Sequence, residues 1–277
     1  MKPLIYISIF ATITYSKNTY PDLELAIEKA LKQCDISALK KMVLAARKYR
    51  KEHSWLCQGG QHILHFAAMS GQLQICDKIL SKIENKSPKD NMERSPIHFA
   101  AQFGCYNVCS LLLNNIIDKN PKDKYQSTPL HDAAKKDHLE ICILMVEEFG
   151  IDPNITCEDK VTSLHITAQN GHSLTFGYLM EKAAVKNPQD KNGYTPLHWA
   201  AKAGHMEICK IILSNIEERN PTSYLMTTPI SIAAENRNIS LCFYLTCETL
   251  KSKMASIMPT TPNFILITFI HFFQKIL

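Results

Sequence analysis

The stretch 192–209, NGYTPLHWAAKAGHMEIC, places two imidazoles and a thiol within a dozen positions, at His198, His205 and Cys209. These are zinc-type donors, and a closed zinc site needs four of them converging on one point. Whether they converge depends on the elements that carry them. Other catalytic patterns are missing: the chain has no Gly-rich phosphate loop, no G-x-S-x-G and no H-E-x-x-H. Glu147 and Glu148 adjoin on a helix-to-loop stretch and read as solvated surface rather than as an acid/base pair.

The totals narrow the partners. The 277 residues are 45% hydrophobic, enough for a continuous core. A net charge of +5, from 31 basic against 26 acidic residues, is a mild excess spread along the chain, so no nucleic-acid partner is expected. The basic run RKYRK at 47–51 reads as a wet face at a helix end. Nine glycines and two tryptophans, with Leu, Ile, Ala and Lys recurring at helical spacing, favour a mostly helical chain.

Repetition decides the metal question. HILHFAAMSGQLQIC from His62, SPIHFAAQFGCYNVC from Ser95, TPLHDAAKKDHLEIC from Thr128, TSLHITAQNGHSLTF from Thr162, TPLHWAAKAGHMEIC from Thr195 and TPISIAAENRNISLC from Thr228 are copies of one unit. Their fourth residues, His65, His98, His131, His165, His198 and Ser231, lie 33, 33, 34, 33 and 33 positions apart. A Thr/Ser-Pro pair opens most copies, the hydroxyl capping a helix and the proline fitting its first turn. The Ala-Ala pair that follows, as at Ala200 and Ala201, lets neighbouring helices approach closely. Gly71, Gly104, Gly171 and Gly204 suit a left-handed residue between two helices. Asp137 and Arg237 fill that slot in the third and sixth copies, the arginine at a cost on the order of 1 kcal/mol.

A second helix carries apolar residues at helical spacing, as in Leu139, Ile141, Cys142, Met145 and Val146, or Met206, Ile208, Cys209, Ile212 and Leu213. It leads into KSPKD at 86–90, KNPKD at 119–123 or KNPQD at 186–190. There proline is expected to stop the helix, and the polar residues to form an exposed turn.

Units of 33 residues built on TPLHWAAKAGHMEICKIIL resemble the ankyrin repeat, over about Gly59 to Met254 and roughly two thirds of the chain. The resemblance implies an all-α solenoid of stacked helix-turn-helix units with short β-turn fingers, whose concave face and projecting turns bind other proteins. In that family the TPLH histidine ties one turn to its neighbour by hydrogen bonds. His65, His98, His131, His165 and His198 are therefore expected to be framework, as are the glycines of the turn slot.

Cys76, Cys109, Cys142, Cys209 and Cys242 lie eleven positions after the histidine slot, where Phe176 stands in the fourth copy, which marks an apolar core position. Helices side by side are about 8 to 10 Å apart, whereas a disulfide needs Cα atoms within about 7 Å, so equivalent cysteines should stay unpaired. Ligands spread along a ladder do not converge. No metal, cofactor or catalytic residue is expected, and buried free thiols suit the cytoplasm.

The ends are less regular. Residues 1–21 form an apolar leader, which resembles a secretory signal with Thr14 and Ser16 near a cleavage point, or else covers the end of the fold. AIEKALKQCDISALKKMV, from Ala26, aligns with the two-helix part of the unit, so 22–58 read as degenerate N-terminal capping helices. Six repeats follow in 59–256, at about 59–90, 91–123, 124–157, 158–190, 191–223 and 224–256. In 257–277, Thr261 and Pro262 arrive on schedule for a seventh unit that NFILITFIHFFQKIL abandons. Phe264–Phe273 is too short to span a bilayer and reads as a worn cap, a membrane-surface contact or the start of a truncated array.

A non-enzymatic scaffold or adaptor is the expected function, with the cytosolic part of a larger membrane protein, such as an ankyrin-rich cation channel, as the alternative. Secretion is the alternative location. Partner-binding side chains are expected before the turn glycine, at Gln102, Phe103, Lys135, Lys136, Gln169, Asn170 and Lys202, and on the fingers, at Arg94, Lys124, Tyr125, Lys191 and Tyr194. Exposed aromatics and cations favour an acidic partner segment with an apolar anchor, gripped by a monomeric chain.

Overall fold

The structure, a computed structural model, describes residues 63–81 and 83–257. The leader, the capping helices of 22–58 with RKYRK, and the tail with Thr261, Pro262 and Phe264–Phe273 lie outside the described residues. Between Ile151 and Asp152 the chain divides into two compact units.

The first unit holds three helix pairs: α1 (Ile63–Met69) with α2 (Leu73–Leu80), α3 (Pro96–Gln102) with α4 (Tyr106–Asn115), and α5 (Pro129–Lys135) with α6 (Leu139–Ile143). The second holds α7 (Ser163–Asn170) with α8 (Ser173–Lys182), α9 (Pro196–Ala203) with α10 (Met206–Asn215), and α11 (Pro229–Glu235) with α12 (Ile239–Ile257). Inside each unit, first helices pack on first helices and second on second. Among the described residues there is no strand, only an isolated bridge between Thr156 and Thr162.

Helices α3, α5, α7 and α9 each begin on a hydroxyl residue whose own backbone N–H is taken by the imidazole three residues on. The N–H groups of Ser95, Thr128, Thr162 and Thr195 donate to Nδ1 of His98, His131, His165 and His198 at 3.1, 3.2, 3.2 and 3.0 Å. Imidazole thus fills the place that Glu or Gln takes in the usual capping box. In the sixth copy Ser231 Oγ does the same for Thr228, at 2.9 Å. Ala100, Ala101, Ala200 and Ala201 are fully buried, as are Cys76, Cys109, Cys142, Cys209 and Phe176, while Cys242 is half-buried. All eight cysteines among the described residues are free thiols.

Two expectations about the loop are corrected. Helix α4 ends at Asn115 and α8 at Lys182, six residues before Pro121 and Pro188, so proline is not what stops them. The loop lysine closes the helix instead. Lys186 Nζ donates to the carbonyls of Met180 and Glu181 at 2.5 and 2.7 Å, and Lys119 reaches those of Leu113 and Ile116 in the same way. An ammonium there satisfies orphan carbonyls and faces the negative end of the helix dipole.

Nor is the polar turn wholly exposed: Asp90, Asp123 and Asp190 are buried. Their Oδ1 atoms accept the N–H groups of Met92 and Arg94, of Tyr125 and Ser127, and of Asn192 and Tyr194. A tight finger turns its donors inward, and an acceptor must meet them.

The longer, 34-residue spacing has its own solution. Helix α6 passes into a π turn at Leu144–Glu148, which holds an extra residue per turn. Gly150 then adopts φ +65, and Ile151 N–H donates to the Met145 carbonyl at 3.0 Å. This shifts the buried positions to Leu144 and Met145 and leaves Val146 only half-buried.

Candidate interaction surface

The histidine ladder uses both ring nitrogens. Besides Nδ1 at the cap in His98, His165 and His198, Nε2 of these three and of His65 meets the carbonyls of Ser127, Tyr194, Thr227 and Arg94, at 3.2, 3.1, 3.2 and 3.0 Å. Where Nδ1 accepts a backbone N–H, Nε2 carries the proton and donates. Burial lowers His98 and His165 to about 4 and pushes His198 down as well, which keeps the rings neutral. Neither nitrogen of His198 has a lone pair to offer a metal.

His205 and Cys209 are committed elsewhere. Nε2 of His205 meets the Gln169 carbonyl at 3.1 Å, Nε2 of His138 meets that of Gln102 at 3.2 Å, and Cys209 lies in the core. This second ladder was not foreseen, although His138 and His205 recur in the slot after the turn residue. Asn236 Nδ2 reaches the Lys202 carbonyl similarly, at 3.0 Å. Among the described residues no three His, Cys, Asp or Glu side chains group into a metal site.

The framework therefore draws on the backbone carbonyls of the pre-turn residues Gln102, Gln169 and Lys202. In the first unit Lys135 and Lys136 are exposed, and Gln102 and Phe103 are half-buried. In the second, Gln169, Asn170 and Lys202 are exposed. On the fingers, Lys124 and Tyr125 are exposed, and Lys124 N–H donates to the Met92 carbonyl of the adjoining finger at 2.9 Å. Lys191 is exposed too, and its ammonium pairs with Asp159.

Arg94 and Tyr194 face other tasks. The Arg94 guanidinium donates twice to Asp90 Oδ2, at 3.1 and 2.9 Å, and covers the Phe99 ring at 4.4 Å. Tyr194 sets its ring edge-on to His198 at 5.3 Å. Trp199 stands one residue after its histidine, as Phe99 does, and donates Nε1–H to Asp190 Oδ2 at 3.1 Å. In that register the first unit has Asp132. Burial, with the Asp123 carboxylate nearby, raises its carboxyl to about 7 against the pull of Arg94 and Lys135.

Sequence reasoning passed over one finger. Tyr224, Leu225 and Met226 are 66, 70 and 81% exposed. The available signal was a turn slot without a single charged or amide side chain, where the equivalent slots hold Asn91-Met92-Glu93, Lys124-Tyr125-Gln126 and Lys191-Asn192-Gly193.

A family model described as ankyrin repeats matches residues 27–123, 64–157, 130–224 and 164–255. No curated protein matches the chain.

Proposed function

This chain belongs to the ankyrin-repeat family, and from that premise we propose that it is a non-enzymatic scaffold or adaptor for a partner with acidic segments and an apolar anchor. Ankyrin repeats are generally protein–protein interaction modules, and proteins built from them are typically not enzymes. What supports the reading here is the division of labour at the hairpin turns. The five TPLH imidazoles and the thiols of Cys76, Cys109, Cys142 and Cys209 are buried in the frame, while Lys135 and Lys136 stand in water on the unit that also presents Phe103 and Tyr125. Cations and aromatics of this kind supply steering and anchoring in protein contacts.

The free thiols support a cytoplasmic, reducing setting. No described helix is long and apolar enough to cross a membrane. A pull-down with wild type, Lys135→Glu and Phe103→Ala tests the reading. Loss of a partner from either variant supports it, and equal capture by all three rules this surface out.

A further inference from the structure

The finger at 222–227 breaks two local rules at once. Met226 sits in the left-handed region, at φ 60, which glycine or asparagine takes more readily than methionine. It is also largely in water. Equivalent slots in other fingers hold Glu93, Gln126 and Gly193, so the fold does not ask for an apolar side chain there.

The bonds that shape the turn come from elsewhere. Ser223 N–H donates to the Thr227 carbonyl at 2.9 Å, Met226 N–H to that of Ser223 at 3.0 Å, and Tyr224 N–H to that of Asn192 at 3.0 Å. The Tyr224 ring lies against the adjoining finger: a Cβ at Gly193 would fall 2.9 Å from Tyr224 Cδ1. Leu225 and Met226 contribute no side-chain bond to any of this, yet the backbone that carries them is held firmly. A consistent fold departs from local preference mainly where function asks it to.

We infer that the tip Tyr224-Leu225-Met226 is a preformed anchor for an uncharged apolar socket on a partner protein. This rests on the protein-binding reading above and adds the chemistry of one contact. Between Thr222 and Thr228 no side chain is charged, whereas the adjoining finger carries Lys191. A charged partner surface would lose hydration at the tip and gain no counter-charge. A lipid surface broad enough to take the tip would also strip water from the Lys191–Asp159 ion pair, tied next to it through Tyr224 and Asn192. A narrow protein socket takes the tip and leaves that pair wet.

The test begins with proteins retained by the immobilised full-length wild-type chain and identified by mass spectrometry. The dominant one is purified and titrated against wild type, Lys135→Glu and the double variant Leu225→Asn/Met226→Asn, with thermal melts to check folding. Asparagine suits the left-handed slot, so the double variant keeps the turn. Binding by the double variant is expected to weaken at least about tenfold, with little dependence on salt. A benzoylphenylalanine placed at 225 should crosslink to uncharged apolar residues of that partner. Unchanged affinity in the double variant, or crosslinks to lipid or to a second copy of the chain, overturns the socket. A partner weakened by Lys135→Glu alone sinks the socket and spares the broader reading, while no retained protein at all sinks both.

Discussion

A Cβ placed on Gly171 would stand 2.6 Å from Cε1 of His205, the imidazole whose Nε2 meets the Gln169 carbonyl. The glycine itself holds φ +81. Two demands coincide: a left-handed backbone and an empty space for the ring that crosses it.

Gly171→Ala should therefore cost more than its backbone alone. The left-handed conformation costs about 1 kcal/mol, and displacing the ring forfeits a hydrogen bond worth about 1 kcal/mol more. Gly150→Ala is the comparison, because φ is +65 there but nothing lies within 4 Å of the added Cβ. Urea midpoints should fall for both and fall further for Gly171→Ala. Equal losses would show that the His205 contact carries no weight.

Asp132 should be a liability at neutral pH. Burial and the Asp123 charge raise its carboxyl in the folded chain to about 7, above its ordinary value of 3.8. A raised folded value means that the contribution is most favourable below 3.8 and is lost as pH climbs through 7. Asp132→Asn should thus stabilise the protein by roughly 1 to 3 kcal/mol at pH 8, with the gain shrinking toward pH 4. A gain independent of pH would point to packing instead.

His98 and His165 act in the opposite sense. Their folded values, lowered to about 4 from 6.5, mean that the unfolded chain takes up protons first as pH drops. Their stabilisation is complete above 6.5 and is lost as pH falls toward 4, about 2 kcal/mol per ring by pH 5. Melting temperatures in the Asp132→Asn background, where the carboxyl no longer offsets the rings, should fall clearly between pH 7 and pH 5. A flat profile would show that the rings are already charged in the native state.

The core thiols should be inert until the chain opens. Burial pushes Cys76, Cys142 and Cys209 up to about 12, and Cys109 is raised further. A thiolate-directed reagent at pH 8 should leave these four unmodified in native protein and label them at once in denaturant. Fast native labelling of Cys109 or Cys209 would contradict the packing described for α4 and α10.

Repetition made the helix pairs, their capping hydroxyls and the role of the TPLH histidines legible, because six copies expose which positions the fold constrains. What stayed hidden involves the backbone. Lys119 and His138 bond to main-chain carbonyls, which every residue carries, so no partner residue betrays the contact. Asp123 looks like solvated turn chemistry until the finger's inward-facing donors are seen. The spacing of 34 announced one additional residue, yet not that a π turn would house it. Exposure of Lys135 and Lys136 could be anticipated from their register, whereas the turns of Arg94 and Tyr194 toward Asp90 and His198 depend on tertiary neighbours.

The two ladders run in opposite directions along the chain. His98 donates forward to Ser127 and His138 back to Gln102, and in the second unit His165 and His205 repeat the pattern toward Tyr194 and Gln169. Adjoining hairpins are thereby latched twice, once at the finger and once at the opposite corner. A hairpin with a neighbour on one side alone has half as many latches, so melting should start at the margins of an array and travel inward. Tightening one inner latch would then do little until the outer hairpins had already let go.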